Sequence, residues 1–137
     1  SGRVDRKRSS PSGCSMRSVA PARLDELRSE KGVFVLDIRP ERDFGRGHID
    51  GSYNAPVYQE LRRGKSEALE EYLDDIPADA TVVTVCKAGI VAKEATSTLS
   101  DRGYDAATLT GGYTGWRQYE GNTLVYRVFA TIGSLLP

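Results

Sequence analysis

Cys86 closes the apolar run Thr81-Val82-Val83-Thr84-Val85, and Lys87-Ala88-Gly89-Ile90-Val91 separates it from a segment with helical spacing. A thiol between a buried strand and a helix N-terminus meets oriented backbone N–H groups and the positive end of the helix dipole. Both favour thiolate over thiol, so this is a place to build a nucleophilic cysteine. Gly89 admits backbone angles that a Cβ would forbid and lets a substrate come close. Lys87 sets a cation beside the sulfur. The competing reading of Cys86 is an inert, buried, small hydrophobe. Taken alone, these residues leave both readings open.

The elements that must hold this thiol alternate between two periods. Pro21, Leu24 and Leu27 suit a short amphipathic helix. Val33-Phe34-Val35-Leu36-Asp37-Ile38 is a continuous apolar run ended by Arg39-Pro40 and reads as a buried strand. A loop with Gly45, Gly47 and Gly51 is expected next, then a short strand near Tyr53-Asn54-Ala55. Leu69, Leu73 and Ile76 share one helical face over 67–76, with Pro77 as the stop. Thr81–Val85 is the second central strand. Val91, Ala95 and Leu99 recur every four residues, and Gly103 suits the C′ position. Ala106–Leu109 reads as a strand, and Gly111-Gly112 precedes a last short helix around Trp116. Buried strands alternating with helices predict an α/β fold with a parallel-containing sheet covered on both faces. Ligands of such sheets gather at the carboxyl ends of strands, where Cys86 falls.

Composition narrows the chemistry. The 137 residues carry 19 basic and 19 acidic side chains, so no global field calls for nucleic acid or an anionic membrane. Two cysteines, Cys14 and Cys86, make a disulfide framework improbable and suit a reducing, cytoplasmic setting. With one histidine, they cannot form an ordinary structural zinc site. No cofactor or metal is expected. No stretch is apolar enough to span a bilayer and no secretory signal is visible. Residues 1–19, rich in Ser, Gly, Pro and Arg, are expected to be a flexible appendage, with 1–15 partly vector-derived. A natural basic arm is the alternative.

Four segments carry a family resemblance. Leu36-Asp37-Ile38-Arg39 and Gly47-His48-Ile49-Asp50-Gly51-Ser52-Tyr53-Asn54-Ala55-Pro56 resemble the two N-terminal signatures of the rhodanese family. Val85-Cys86-Lys87-Ala88-Gly89-Ile90-Val91-Ala92 resembles its active-site loop, and Leu109-Thr110-Gly111-Gly112-Tyr113-Thr114-Gly115-Trp116 its C-terminal signature. They follow the family's order and spacing across roughly residues 20–120. The resemblance implies a single α/β domain whose mostly parallel sheet has about five strands. It also implies a sulfurtransferase in which Cys86 takes a sulfane sulfur as a persulfide. The partners are then a small sulfur donor, thiosulfate or a persulfide, and a thiol or cyanide acceptor. Lys87, Ala88, Gly89, Ile90 and Val91 form the anion-binding loop, whose N–H groups suit a thiolate, a persulfide or an oxyanion. Asp37, Arg39 and His48 are assigned structural support of that loop.

One position departs from the pattern. Many catalytic members carry a second basic residue late in this loop, where Val91, or Ile90 one place earlier, stands here. A less positive site predicts weak thiosulfate binding and a preference for a persulfide or polysulfide donor. The same gap argues against phosphatase relatives, whose longer loop closes with an arginine that clamps phosphate. The alternative function is a non-catalytic module that binds a protein partner or senses redox state. Cys14 as a resolving thiol is a minor idea. Residues 121–137 form an apolar extension containing Leu124, Val125, Tyr126, Val128, Phe129, Ile132, Leu135 and Leu136. Three uses compete for it: packing on its own domain, a dimer contact, or a surface for another domain. Packing on its own domain is the expectation.

Overall fold

The computed structural model describes residues 17–30 and 32–135, with side chains as far as Leu124. Cys14, Met16 and the basic residues Arg3, Arg6, Lys7 and Arg8 of the expected appendage lie outside the described residues, as do the side chains of Val125–Leu135 and all of Leu136. The order is β1 (Ser18–Val19), α1 (Pro21–Ser29), β2 (Val33–Asp37), α2 (Glu41–Arg46), β3 (Tyr53–Asn54), α3 (Tyr58–Arg62) and a 3-10 helix (Ser66–Asp75). There follow β4 (Thr81–Val85), α4 (Ala92–Asp101), β5 (Asp105–Leu109) and α5 (Gly112–Leu135).

The strands form one five-stranded sheet in the order β1-β5-β4-β2-β3, and every pairing is parallel. The expected α/β class therefore holds. β4 is central because both of its faces are apolar: Val82, Val83 and Val85 are fully buried. One face packs Leu36, Val82, Leu69, Ala95 and Leu99 beneath the 3-10 helix and α4. The opposite face packs Leu24, Val35, Val83, Leu109 and Trp116 beneath α1 and α5. Covering both faces explains why these strands lack hydrophobic alternation.

Several expectations are corrected. Ser18–Val19 is not part of a loose appendage, since it pairs with Thr108 and Leu109 as an edge strand and Val19 is buried. Two residues are too short for any periodicity to announce. The loop expected around Gly45 contains α2, which follows Pro40 and carries Glu41 and Asp43 in its first turn, favourable at a helix N-terminus. α3 was unexpected for the same reason of length. Residues 66–75 wind as a 3-10 helix, with Leu69–Tyr72 and Leu73–Ile76 at steps of three. Over ten residues such spacing fits a period of 3.0 as well as 3.6. The last helix is not short, because the backbone continues helically through Gly121-Asn122 to Leu135. No helix among the described residues is long and apolar enough to cross a membrane.

Candidate active site

The chain leaves β2 toward β3 on one side of the sheet and leaves β4 toward β5 on the other. The carboxyl ends of β2 and β4 therefore flank a topological switch point, where open α/β sheets bind ligands. The Ile38 N–H donates to the Val85 carbonyl at 2.9 Å and carries the β2–β4 pairing to the edge of that crevice. Cys86 is the next residue on β4 and is 1% exposed.

The loop folds back over its own cysteine. The Gly89 N–H donates to Cys86 Sγ at 3.1 Å, and the Ala92 N–H, from the start of α4, donates at 3.3 Å. Two backbone dipoles thus converge on one sulfur, an arrangement that solvates negative charge there. Gly89 sits at φ +87°, and a Cβ on it would meet Gly111 N at 3.0 Å and Leu109 O at 3.1 Å. Val91 is helical (φ −67°, ψ −30°) and half-buried, so the loop is already part of α4 when it ends. Lys87, Ala88 and Ile90 face outward, Ile90 with 70% of its surface exposed.

The start of α5 grips the same loop from beside it. The Tyr113 N–H donates to the Cys86 carbonyl at 2.7 Å and the Thr114 N–H to the Lys87 carbonyl at 3.1 Å. Gly112 lies so close that a Cβ would stand 2.4 Å from the Cys86 carbonyl oxygen, and its φ of +60° strains any side chain. From within the fold, three buried hydroxyls reach the first turn of α4. Thr84 Oγ1 donates to the Ala92 carbonyl at 3.1 Å, Thr84 and Thr96 Oγ1 are 2.8 Å apart, and Thr96 and Thr108 Oγ1 are 2.6 Å apart. Because Thr84 spends its proton on Ala92, Thr96 donates to Thr84 and Thr108 to Thr96.

The β2 side is held by charge. Arg39 donates from Nη2 to Asp37 Oδ2 at 2.8 Å and from Nε to Asp37 Oδ1 at 3.0 Å, with both residues buried. The same Nη2 donates to the Gly47 carbonyl at 2.8 Å, and the guanidinium lies 4.1 Å from the centre of the Tyr113 ring. Asn54 Nδ2 donates to the carbonyls of Asp37 and Arg39. His48 belongs to another cluster. Its ring is exposed, stacks on Phe44 at 3.9 Å and reaches the Phe44 carbonyl at 2.9 Å through Nδ1.

Between α2, the Cys86 loop and α5 lies a cleft of about 280 Å³, with Arg39, Arg46, Gly47, Lys87, Tyr113 and Arg117 in its walls.

The family model described as Rhodanese-like domain matches residues 20–119. The chain belongs to the rhodanese-like domain family. It is 29% identical over 105 residues to a protein named thiosulfate sulfurtransferase GlpE of Shewanella oneidensis, covering 76% of this chain and 95% of that one. A protein of the same name from Pseudomonas aeruginosa is 31% identical over 100 residues, covering 72% of this chain and 82% of its own. Among solved structures, a rhodanese-related protein of Thermoplasma volcanium superposes with a TM-score of 0.63 at 27% identity, covering 75% of this chain and 92% of that one. A rhodanese-like domain protein of Staphylococcus aureus, at 22% identity, shares the fold with a TM-score of 0.62 over 74% of this chain and 91% of its own.

Within this rhodanese-like domain the geometry joins Cys86, Gly89 and the ion pair of Asp37 and Arg39 around one crevice. His48 stands apart with α2, and any support it lends runs through the neighbouring Gly47. Sequence reasoning missed Ala92, which acts through a backbone N–H and so leaves no side-chain signal. It placed Gly112 only as the residue before the last helix, and it passed over Thr84, Thr96 and Thr108. The cleft residues Arg46 and Arg117 come together only in three dimensions.

Proposed function

We propose that this protein is a sulfurtransferase that carries sulfane sulfur on Cys86. The observation that carries the reading is the Cys86 sulfur receiving two backbone N–H groups at the carboxyl end of the central strand. The names of the GlpE relatives support the same activity class. In the loading step the Cys86 thiolate attacks the sulfane sulfur of the donor. A new S–S bond forms, and sulfite leaves if the donor is thiosulfate, or a thiolate if it is a persulfide. In the discharge step cyanide or a thiolate takes the outer sulfur, and Sγ departs as thiolate again. No general base is required at either step when the thiols are ionised, consistent with His48 standing apart. Because Cys86 is buried, the donor presents its sulfur end-on through the loop, and water is kept from the persulfide.

The donor we favour is a persulfide rather than thiosulfate, because Val91 and Ile90 bring no cation to the end of the loop. A total of only two cysteines in the whole chain suits a reducing compartment. The second reading, a partner-binding module, rests on Ile90, which projects an exposed apolar side chain from the loop tip.

Intact-protein mass spectrometry after incubation with glutathione persulfide, and separately with thiosulfate, decides between them. The expected result is a gain of about 32 Da that cyanide removes and that Cys86→Ser lacks, since the thiolate is the nucleophile. Loading should be faster with the persulfide. If neither donor adds sulfur to folded protein, the enzyme reading fails and the module reading takes its place.

A further inference from the structure

The cleft between α2, the Cys86 loop and α5 carries more positive charge than the protein's own acids balance. Arg39 in its wall is satisfied by Asp37. Among the described residues Arg46 pairs only with Asp43, 4.0 Å away and itself in the cleft wall. Lys87 and Arg117 form no ion pair with any of the described residues, and Arg117 stands 6.0 Å from the centre of the Tyr113 ring. Two cations, Lys87 and Arg117, therefore line one small volume without an acidic partner among the described residues, beside the long Arg46–Asp43 pair.

Position gives this charge a use. Lys87 is bonded to Cys86, so a wall of the cleft lies one residue from the nucleophile, about 3.8 Å from Cα to Cα. Tyr113 and Thr114, also in the walls, hold the Cys86 and Lys87 carbonyls through their N–H groups. The cleft wall and the backbone of Cys86 are thus tied together, with Cys86 itself buried behind the lining. The cleft volume of about 280 Å³ lies just below the usual range of small-molecule sites, which begins at about 300 Å³. The one aromatic ring offers no free apolar floor, because Arg39 covers it at 4.1 Å. An anion of modest size suits this lining better than an apolar ligand or a broad protein surface.

We propose that the cleft is a docking site for the carboxylates of a small anionic thiol or its persulfide, gripped by Arg46, Lys87 and Arg117 while its sulfur reaches Cys86. The proposal deepens the sulfurtransferase reading and rests on it for the transfer step. In that step the docked thiolate attacks the outer sulfur of the Cys86 persulfide. One S–S bond forms, the bond to Sγ breaks, and Sγ leaves as thiolate, so no oxidant or reductant enters. Loading from a docked persulfide is the reverse.

Two measurements on the full chain test the cleft. The first is calorimetric binding of S-methylglutathione, which bears two carboxylates and cannot transfer sulfur, to the protein and to R46Q/R117Q. Both arginines are exposed at the surface, so the double variant should fold. The expected result is binding that weakens about tenfold in R46Q/R117Q, as loss of two exposed charge contacts would give, and that weakens in salt. The second is the rate of sulfur discharge from loaded Cys86 to glutathione divided by the rate to uncharged 2-mercaptoethanol. That ratio should fall by a similar factor in the variant. Equal binding by the two proteins, no binding of S-methylglutathione, or an unchanged ratio would overturn the proposal. Charge-dependent binding to a protein whose Cys86 takes no sulfur would uphold the cleft and sink the sulfurtransferase reading alone.

Discussion

Two buried polar clusters flank the strand that delivers Cys86, and they are built from opposite materials. On the β2 side, Asp37 and Arg39 are a charged pair with three further ties, to the Gly47 carbonyl, the Tyr113 ring and the backbone held by Asn54. On the β5 side, Thr84, Thr96 and Thr108 are a neutral chain of hydroxyls ending on the Ala92 carbonyl. The charged cluster fixes irregular segments, where no ladder of backbone hydrogen bonds sets the distance. The neutral cluster lies where α4 already packs on β4 and β5 through Ala95 and Leu99, and it only adjusts that packing. A planar guanidinium with five donors can bridge loops in ways that a single hydroxyl cannot. Charge is therefore placed where the fold has least regular structure to rely on.

The contrast predicts unequal costs, and Asp37 should cost most. Asp37→Ala leaves the buried Arg39 guanidinium without its carboxylate, and breaking a buried pair from one side destabilises by about 3–5 kcal/mol. Urea unfolding followed by far-UV circular dichroism should show a large fall in midpoint with little change in slope. Replacing both partners, Asp37→Leu with Arg39→Met, removes the stranded charge and should recover much of that loss. The recovered protein should still load Cys86 more slowly, because the tie to Gly47 and the cover on Tyr113 are gone. A loss under about 1 kcal/mol in Asp37→Ala would mean that the pair behaves like a surface salt bridge and that the comparison is false.

The same contrast explains what could be read from the sequence. Cys86 and Gly89 were legible because their meaning is local: a buried strand ends, a glycine follows and a helix begins. Asp37 and Arg39 were legible as loop ties because they lie two residues apart at another strand end. Ala92 was hidden because its contribution is an amide that every residue but proline has. Gly112 was placed only before the last helix, yet the tighter demand on it is the Cys86 carbonyl, brought against it by the return of the chain from β5. Thr84 and Thr108 looked like ordinary strand formers, since threonine is common in strands for its branched Cβ alone. Thr96 looked like a weak helix former. Nothing in one dimension aligns those three hydroxyls. The fold divides in a similar way: β2, β4 and β5 showed as apolar runs and α4 by its spacing, whereas β1, α2 and α3 gave no such signal, and β3, as short as β1, was expected near Tyr53.

The neutral cluster should yield a smaller loss that has a different cure. Thr96→Val removes the middle of the chain, so Thr108 loses its acceptor and Thr84 loses its donor while α4 and the sheet stay packed. A buried group left without its partner costs about 1–3 kcal/mol, and solvent does not reach this site to replace it. The urea midpoint should therefore fall by less than in Asp37→Ala. Replacing Thr108 by Val in the same protein removes the stranded hydroxyl and should return part of the loss, as the double replacement does for the ion pair. The chemistry of Cys86 should respond only slightly, because the Ala92 N–H is placed by the first turn of α4 and the Ala92 carbonyl keeps its contact with Thr84. Alkylation by iodoacetamide, read by mass, should change by no more than about threefold, as expected for a hydrogen bond shifted rather than lost. A Thr96→Val protein as unstable as Asp37→Ala, or one whose Cys86 no longer reacts, would show that the hydroxyl chain sets the start of α4. The charged cluster would then not be the main support of the site.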